Sequence, residues 1–223
     1  MKSVKNIITI DGPGGVGKGT LAYRLSRELN WKILDSGLIY RLVGYISLKV
    51  GNENPKILSK HLKEAEIDFI INTSEKRVDI SFNSENITSF LRDESIAKKA
   101  SVVSKNRYIR ESVLDIQRNT YDKKKGLVAD GRDMGTIIFP EAGLKIFLDA
   151  SLEIRAERRA NQLIERGMSV IMHDLLEAIK LRDKEDRQRK HSPLIMAKDA
   201  EFIDTSSMSE DEVFSKVMEL YKK

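Results

Sequence analysis

The sequence predicts an α/β chain: a parallel sheet covered on both faces by helices, three layers in all, with a small β-rich insertion. Three observations predict it. Short runs such as "IITI", "GLVA" and "KIFL" are mostly apolar, as strands buried on both faces are. Longer stretches between them carry apolar residues at helical spacing. Strand and helix patterns alternate along the chain, and such alternation closes into a parallel sheet.

Each element follows in order. Residues 4–10, "VKNIITI", read as a buried strand ended by Asp11-Gly12-Pro13. Beyond a glycine-rich turn, Leu21, Leu25 and Leu29 lie at helical spacing. "WKILD" gives a second short strand, and Ser36-Gly37 is expected to cap the helix "LIYRLVGYISLKV". Residues 66–82 change texture: "IDFIINT" and "RVDISF" flank the turn-like "SEK" and read as a small inserted antiparallel sheet. Helical patterns return from about Asp93 to Asp122. "GLVADG" and "KIFLDA" are two more core strands, each running out at an aspartate. A long charged helical region is predicted from Ser151 to about Arg189, then a last strand in "AEFIDT". Ser209 with Glu212 forms a capping box for the final helix, "DEVFSKVMELYKK".

The 223 residues suit one domain carrying small insertions, with no internal repeat or linker. Hydrophobic residues at 40% suffice for a core, and no apolar run approaches the ~20 residues of a membrane span. "MKSVKNIITI" has no leader-like apolar segment, and the absence of cysteine excludes disulfides and thiolate metal sites. A cytoplasmic monomer that engages no membrane is expected. The net charge of +5 is small and spread out, and its basic runs are mixed with carboxylates. Aromatics make up only 6% and are not interleaved with those runs, which argues against nucleic acid as a partner.

The glycine turn carries the first chemistry. "GPGGVGKGT" matches the Walker pattern: Gly12, four residues, then Gly17 and Lys18. Glycines let the backbone bring bare N–H groups onto phosphate oxygens, the following helix adds its positive end, and Lys18 adds a point charge. Gly12, Pro13, Gly14, Gly15, Val16, Gly17, Lys18, Gly19 and Thr20 are therefore the expected ATP-binding residues. Gly19 occupies the place where the common pattern has a Ser or Thr for Mg²⁺, and Thr20 follows it. This "GKGT" form is typical of small-molecule kinases, especially those that act on nucleoside monophosphates.

Further stretches narrow the acceptor. "LDSGLIYR" (34–41), "ADGRDMGTIIFP" (129–140), "KIFLDAS" (145–151) and "IKLRDKEDRQR" (179–189) together resemble the bacterial-type cytidylate kinases over nearly the whole chain. The resemblance implies a P-loop kinase fold and transfer of the γ-phosphoryl of ATP, as its Mg²⁺ complex, to CMP or dCMP. Position by position it implies Ser36 and Asp133 at the cytosine amino group, and Arg110 and Arg189 at N3 and O2. It also implies Arg41 and Arg132 at the acceptor phosphate, and Ser101, Arg182 and Asp186 at the sugar, with Asp186 near the 2′-hydroxyl. The chemistry agrees: an ionised carboxylate only accepts hydrogen bonds, so it suits cytosine N4 and opposes uracil O4. Ordinary alternatives stand beside these roles. Ser36 is also a helix cap, and Arg132 with Asp133 is also a loop ion pair.

Met172, Leu175, Ile179, Arg182, Asp186 and Arg189 advance by three or four residues and form one stripe of a continuous helix. Its apolar half should bury, and its charged half either leaves the core for solvent, with Arg182 and Asp186 as an i,i+4 pair, or opens onto a polar cleft. Arg155, Arg158 and Arg159 lie within about one helical turn, where monophosphate kinases carry a lid whose arginines close over the transferring phosphoryl; the alternative is a solvated arginine-rich helix. With Lys18 and Arg132 these are the expected catalytic residues. Asp35 and Asp130 end apolar strands, so with Thr20 they are candidates to hold Mg²⁺ through water; the alternative for either aspartate is a loop cap. His61, His173 and His191 are too scattered for a metal site.

The domain reading is a kinase core at 1–36, 106–154 and 173–223, a CMP-binding segment at 37–105 and a lid at 155–172. Rival readings are another P-loop kinase (UMP, AMP or shikimate as acceptor) and a nucleotide-dependent switch protein. The guanine-reading pattern N-K-x-D is absent, which argues against the switch.

Overall fold

The computed structural model describes residues 5–222. Residues 1–3, read above for a leader, and Val4 and Lys223, read as strand and helix ends, lie outside the described residues. The first half of the chain forms β1 (Lys5–Asp11), α1 (Lys18–Leu29), β2 (Lys32–Asp35), α2 (Ser36–Val50), α3 (Pro55–Glu64), β3 (Ile67–Asn72), β4 (Arg77–Phe82), β5 (Glu85–Asn86) and α4 (Thr88–Leu91). The second half forms α5 (Glu94–Val103), α6 (Arg107–Asn119), β6 (Leu127–Gly131), β7 (Ala142–Asp149), α7 (Leu152–Ile164), α8 (Met172–Gln188), β8 (Glu201–Asp204) and α9 (Glu210–Tyr221). A π-helical turn, Met134–Ile138, lies between β6 and β7.

Five strands run parallel in the order β2-β6-β1-β7-β8. Ile7, Ile8, Ile10, Leu34, Leu127, Val128 and Leu148 are all but inaccessible. Helices flank this sheet: α1 packs on α9 and β6, and α2 packs on β6 and α5. From β1 the chain passes outward to β2, and from β6 it crosses back over β1 to β7. The order therefore reverses beside β1, and a crevice opens at the carboxyl ends of the strands there. Asp35 lies opposite Asp130 across β2 and β6, and Asp11 opposite Gly131 across β1 and β6. Strand ends alone thus bring carboxylates and the loop after β6 to one place.

Several expectations need correction. The inserted sheet is antiparallel as expected but has three strands, because the two-residue β5 adds to β4. Asp35, not Ser36-Gly37, caps α2: β2 runs straight into the helix, and the Asp35 carboxylate accepts from Leu38 N at 3.1 Å. The charged region 151–189 is two helices, broken at 165–171 around Gly167, which has φ of 74°. The apolar half of the α8 stripe does not bury: no α8 residue is buried, and Met172 is 44% exposed. That face looks into a cleft rather than onto a packed helix, so Leu175 and Ile179 are only half covered. Helix α3, with Pro55 in its first turn and Asn54 accepting from Lys56 N, is an element the sequence reading missed.

Candidate active site

The loop between β1 and α1 is shaped by glycine where other residues would strain it. A side chain at Gly12 (φ 150°) would overlap the Leu148 carbonyl oxygen. Gly17 enters α1 with φ of 92°, and no side chain caps that helix. The first-turn amides are therefore left facing the loop, a ready anion site. Lys18 is 7% exposed and folds back to donate to Pro13 O at 2.8 Å, with Asp130 Oδ1 at 4.0 Å. Burial, then repulsion from Arg132, lowers its pKa to about 8. Burial raises Asp130 to about 7, against the attraction of Lys18. Charges this reluctant would be stabilised by polyphosphate and by a cation.

Just before the loop, buried Asp11 accepts from Met134 N at 2.8 Å and Gly135 N at 2.7 Å. Burial raises its pKa to about 6, although these amides and Lys18 oppose the shift. The bonds tie the end of β1 to the segment that carries Arg132 and Asp133.

Beside the loop lies a cavity whose lining includes all nine side chains expected at CMP: Ser36, Arg41, Ser101, Arg110, Arg132, Asp133, Arg182, Asp186 and Arg189. They come from α2, α5, α6, the turn after β6, and α8 with its C-terminal residue. Lys18, Asp35 and Asp130 line it too, so it is continuous with the donor loop. Arg110 and Asp133 form a buried ion pair at one end. Arg110 also donates to Ser104 O at 3.0 Å. Arg132 donates from Nε to Asp186 at 2.9 Å, and Arg189 lies 3.6 Å from the same carboxylate. Burial works against both charges of the Arg132–Asp186 pair, but each partner outweighs it: Asp186 lies below and Arg132 above its ordinary value. The simple alternatives are thus not what the chain forms. Arg132 pairs with Asp186 rather than Asp133, and Asp186 reaches across the cleft rather than back to Arg182. Two guanidinium N–H groups, Arg110 Nε and Arg189 Nη2, are buried without a hydrogen-bond partner, donors that the chain itself leaves unsatisfied.

The three lid arginines are separated. Arg155 is buried beneath the loop and donates to Ala150 O at 3.0 Å, Gly14 O at 3.3 Å and Asp183 at 2.6 Å. Arg158 turns to the opposite side and donates to Thr205 O at 2.7 Å and Thr205 Oγ1 at 3.1 Å. Arg159 pairs with Glu94 and lines, with Arg41, Arg182, Lys18 and Thr20, the hollow over the loop. A hollow of about 400 Å³ on the Arg158 side is lined by Gly17, Thr20, Arg24, Thr205 and Met208. The sequence reading missed Arg24, Thr205 and Met208, because nothing local links a helix face to a loop 180 residues away. Tyr40, 8% exposed under Arg110, was also given no role, although it stands in the "DSGLIYR" stretch. Among the described residues no group of three or more His, Asp or Glu could hold a metal alone, and no helix is long and apolar enough to cross a membrane.

A parallel sheet that reverses at β1, a Walker loop at the switch point and an arginine-lined cavity beside its lysine define a P-loop phosphotransferase. The comparisons specify which. The family model described as Cytidylate kinase matches residues 8–223. A cytidylate kinase of Dichelobacter nodosus is 44% identical over 222 residues, covering 98% of this chain and 97% of its own. One from Cupriavidus pinatubonensis is 38% identical over 226 residues, covering 98% and 97%. The crystal structure of an uncharacterized protein from Eubacterium ventriosum shares the fold, with a TM-score of 0.50 at 13% identity over 97% of each chain. The chain belongs to the cytidylate kinase family.

Proposed function

We propose the following division of labour for the phosphorylation of CMP or dCMP, the activity that membership of this family gives the chain. ATP lays its phosphates along Gly12–Thr20, with Lys18 at the β- and γ-phosphates. Its base enters the hollow between Arg158 and the Thr205–Met208 turn, where the Thr205 bonds hold the guanidinium as a flat platform. The acceptor enters the cavity of nine side chains. Asp133 and Ser36 accept from the cytosine amino group, Arg110 and Arg189 donate to N3 and O2, Arg41 and Arg132 hold the phosphate, and Ser101, Arg182 and Asp186 hold the sugar.

An acceptor phosphate oxygen then attacks the γ-phosphorus in line. One P–O bond forms while the bond to the β-phosphate oxygen breaks, and the electron pair leaves with ADP. No nucleophilic side chain is needed, so the chain contributes position and charge. Arg159 and Arg182 line the hollow between the two substrates and are placed to neutralise the transferring group. Arg155, committed to Ala150, Gly14 and Asp183, supports the loop from below.

Kinases of this family use ATP with a divalent metal. Mg²⁺ is our assignment: half-buried Asp35 and buried Asp130 are adjacent carboxylates at the strand ends, with Thr20 across the loop, and Mg²⁺ favours one or two carboxylates through water together with phosphate oxygens. When bound, it would neutralise charge on the β- and γ-phosphates. In domain terms, 37–105 presents the acceptor, 155–172 covers the donor, and the remainder is the rigid core. We further propose that the protein acts as a cytoplasmic monomer.

One observation carries this reading. The acceptor side chains, from five separate segments, line one cavity that reaches Lys18. The test is ADP release with CMP, dCMP, UMP, AMP and shikimate as acceptors. CMP and dCMP should be turned over at least tenfold faster than the rest, and preference for AMP or shikimate would overturn the assignment.

A further inference from the structure

Arg110 must present a long, flexible side chain at a fixed angle to read a base edge. Three contacts fix it: the Asp133 carboxylate, the Ser104 carbonyl at 3.0 Å, and the face of Tyr40, whose ring centroid lies 5.3 Å from the guanidinium carbon. Asp133 and Ser104 hold the guanidinium by its edges, whereas Tyr40 holds its plane. Tyr40 belongs to α2, one residue before Arg41, so the helix that positions the phosphate arginine also carries the plate beneath the base-reading arginine. Tyr40 also lines both the acceptor cavity and a second hollow of about 270 Å³ that contains Arg107, Lys190 and His191. The ring is thus part of the wall between them.

We propose that Tyr40 is a positioning residue for cytosine recognition: its aromatic face fixes the plane of the Arg110 guanidinium and seals the base end of the cavity. The proposal rests on the reading that Arg110 faces the base. The tyrosine hydroxyl is dispensable in it, because a cation is attracted to the ring quadrupole and not to the phenol oxygen. Burial holds that hydroxyl above its ordinary pKa, so the ring remains neutral and attractive to the guanidinium across the working range. A packing role alone would need only volume. A positioning role needs an electron-rich face.

The experiment measures kcat and KM for CMP and UMP at saturating ATP, the KM for ATP, and the thermal midpoint, in Tyr40→Phe, Tyr40→Leu, Arg110→Met and the double variant Tyr40→Leu/Arg110→Met. Pentafluorophenylalanine at position 40 keeps the volume and reverses the ring quadrupole, and it stands in if Tyr40→Leu fails to fold. Tyr40→Phe should match the parent within about twofold. Tyr40→Leu and the fluorinated residue should raise KM for both pyrimidines by roughly 3- to 30-fold and leave the ATP KM unchanged. The Leu substitution should add little once Arg110 is gone. Equal damage from Phe and Leu, additive losses in the double variant, or parent-like KM values with the fluorinated ring would each overturn the proposal. If Arg110→Met itself leaves both KM values unchanged, the base-pocket reading fails first, and that result is distinct from a failure of Tyr40.

Discussion

In the proposed reading, the donor side of the cleft uses nine consecutive residues, Gly12 to Thr20, and binds through backbone amides and one lysine. The proposed acceptor side is lined by nine side chains scattered from Ser36 to Arg189 over five segments. The first needs a backbone path, which glycine permits locally. The second needs a fold, because Arg110 meets Asp133 and Arg132 meets Asp186 only after α6, the turn after β6 and α8 have packed. The difference follows from the ligands. Phosphates offer the same oxygens to any ring of amides, so a short loop suffices. A base and a sugar present donors and acceptors in one order and must be met by side chains aimed from several directions.

If the donor side depends on one preorganised charge, Lys18→Ala should give the largest effect. Turnover should fall on the order of 10²-fold or more while the thermal midpoint stays near that of the parent, since burial already disfavours the lysine's charge and the chain meets it with one carbonyl bond and a 4.0 Å approach to Asp130. Coupled ADP release on the purified, folded variant measures it. Near-parental rates would end the loop assignment.

The acceptor side should break by discrimination rather than by rate. Asp133→Asn offers the base either an oxygen or an N–H, so kcat/KM for CMP should fall while that for UMP falls less or rises. The CMP/UMP ratio should narrow roughly ten- to a hundredfold, or ~1–3 kcal/mol. The ion pair sharpens this: Asn also weakens the hold on Arg110, so part of the loss is common to both pyrimidines. An unchanged ratio would make Asp133 a loop residue.

Asp186→Ala probes the sugar end. The carboxylate also holds Arg132 and approaches Arg189, so both CMP and dCMP should suffer. A further loss of roughly tenfold should fall on CMP alone, for the hydrogen bond to the 2′-hydroxyl. Parallel kcat/KM measurements decide it, and equal losses would leave Asp186 with only its arginine-holding role.

The smallest effect is the pH dependence that joins the two sides. In the free enzyme Lys18 keeps its charge only below about pH 8, and Asp130 keeps its charge only above about pH 7. Going up through 8 loses the lysine charge, and going down through 7 loses the carboxylate, so kcat/KM for ATP should peak between them. Each limb belongs to the interacting pair rather than to one residue. Lys18→Arg should move the alkaline limb upward. A flat profile from about pH 6 to 9.5 would show that neither group titrates in the working site.

By itself the sequence determined the β1–loop–α1 unit, the apolar strands, the Ser209–Glu212 capping box and the existence of the inserted sheet. Each rests on contacts between residues close in the chain: turn geometry at Gly12 and Gly17, apolar runs, and a side chain reaching three residues onward. The side chains proposed for the acceptor were legible only through the motifs the family shares, since nothing in the spacing of Ser36, Arg110 and Arg189 says that they meet. Tertiary structure alone decided the rest. It gave the cap of α2 to Asp35, because β2 and α2 adjoin without a loop. It left the apolar half of the α8 stripe facing the cleft that α8 shares with α7 and the glycine loop, so that half is covered only in part. It parted Arg155, Arg158 and Arg159 into three environments, because the groups that take the three guanidiniums, Asp183 on α8, Thr205 after β8 and Glu94 on α5, lie on three different parts of the fold. Periodicity reports which residues share a face, but what that face meets depends on elements whose positions are fixed only when the whole sheet has formed.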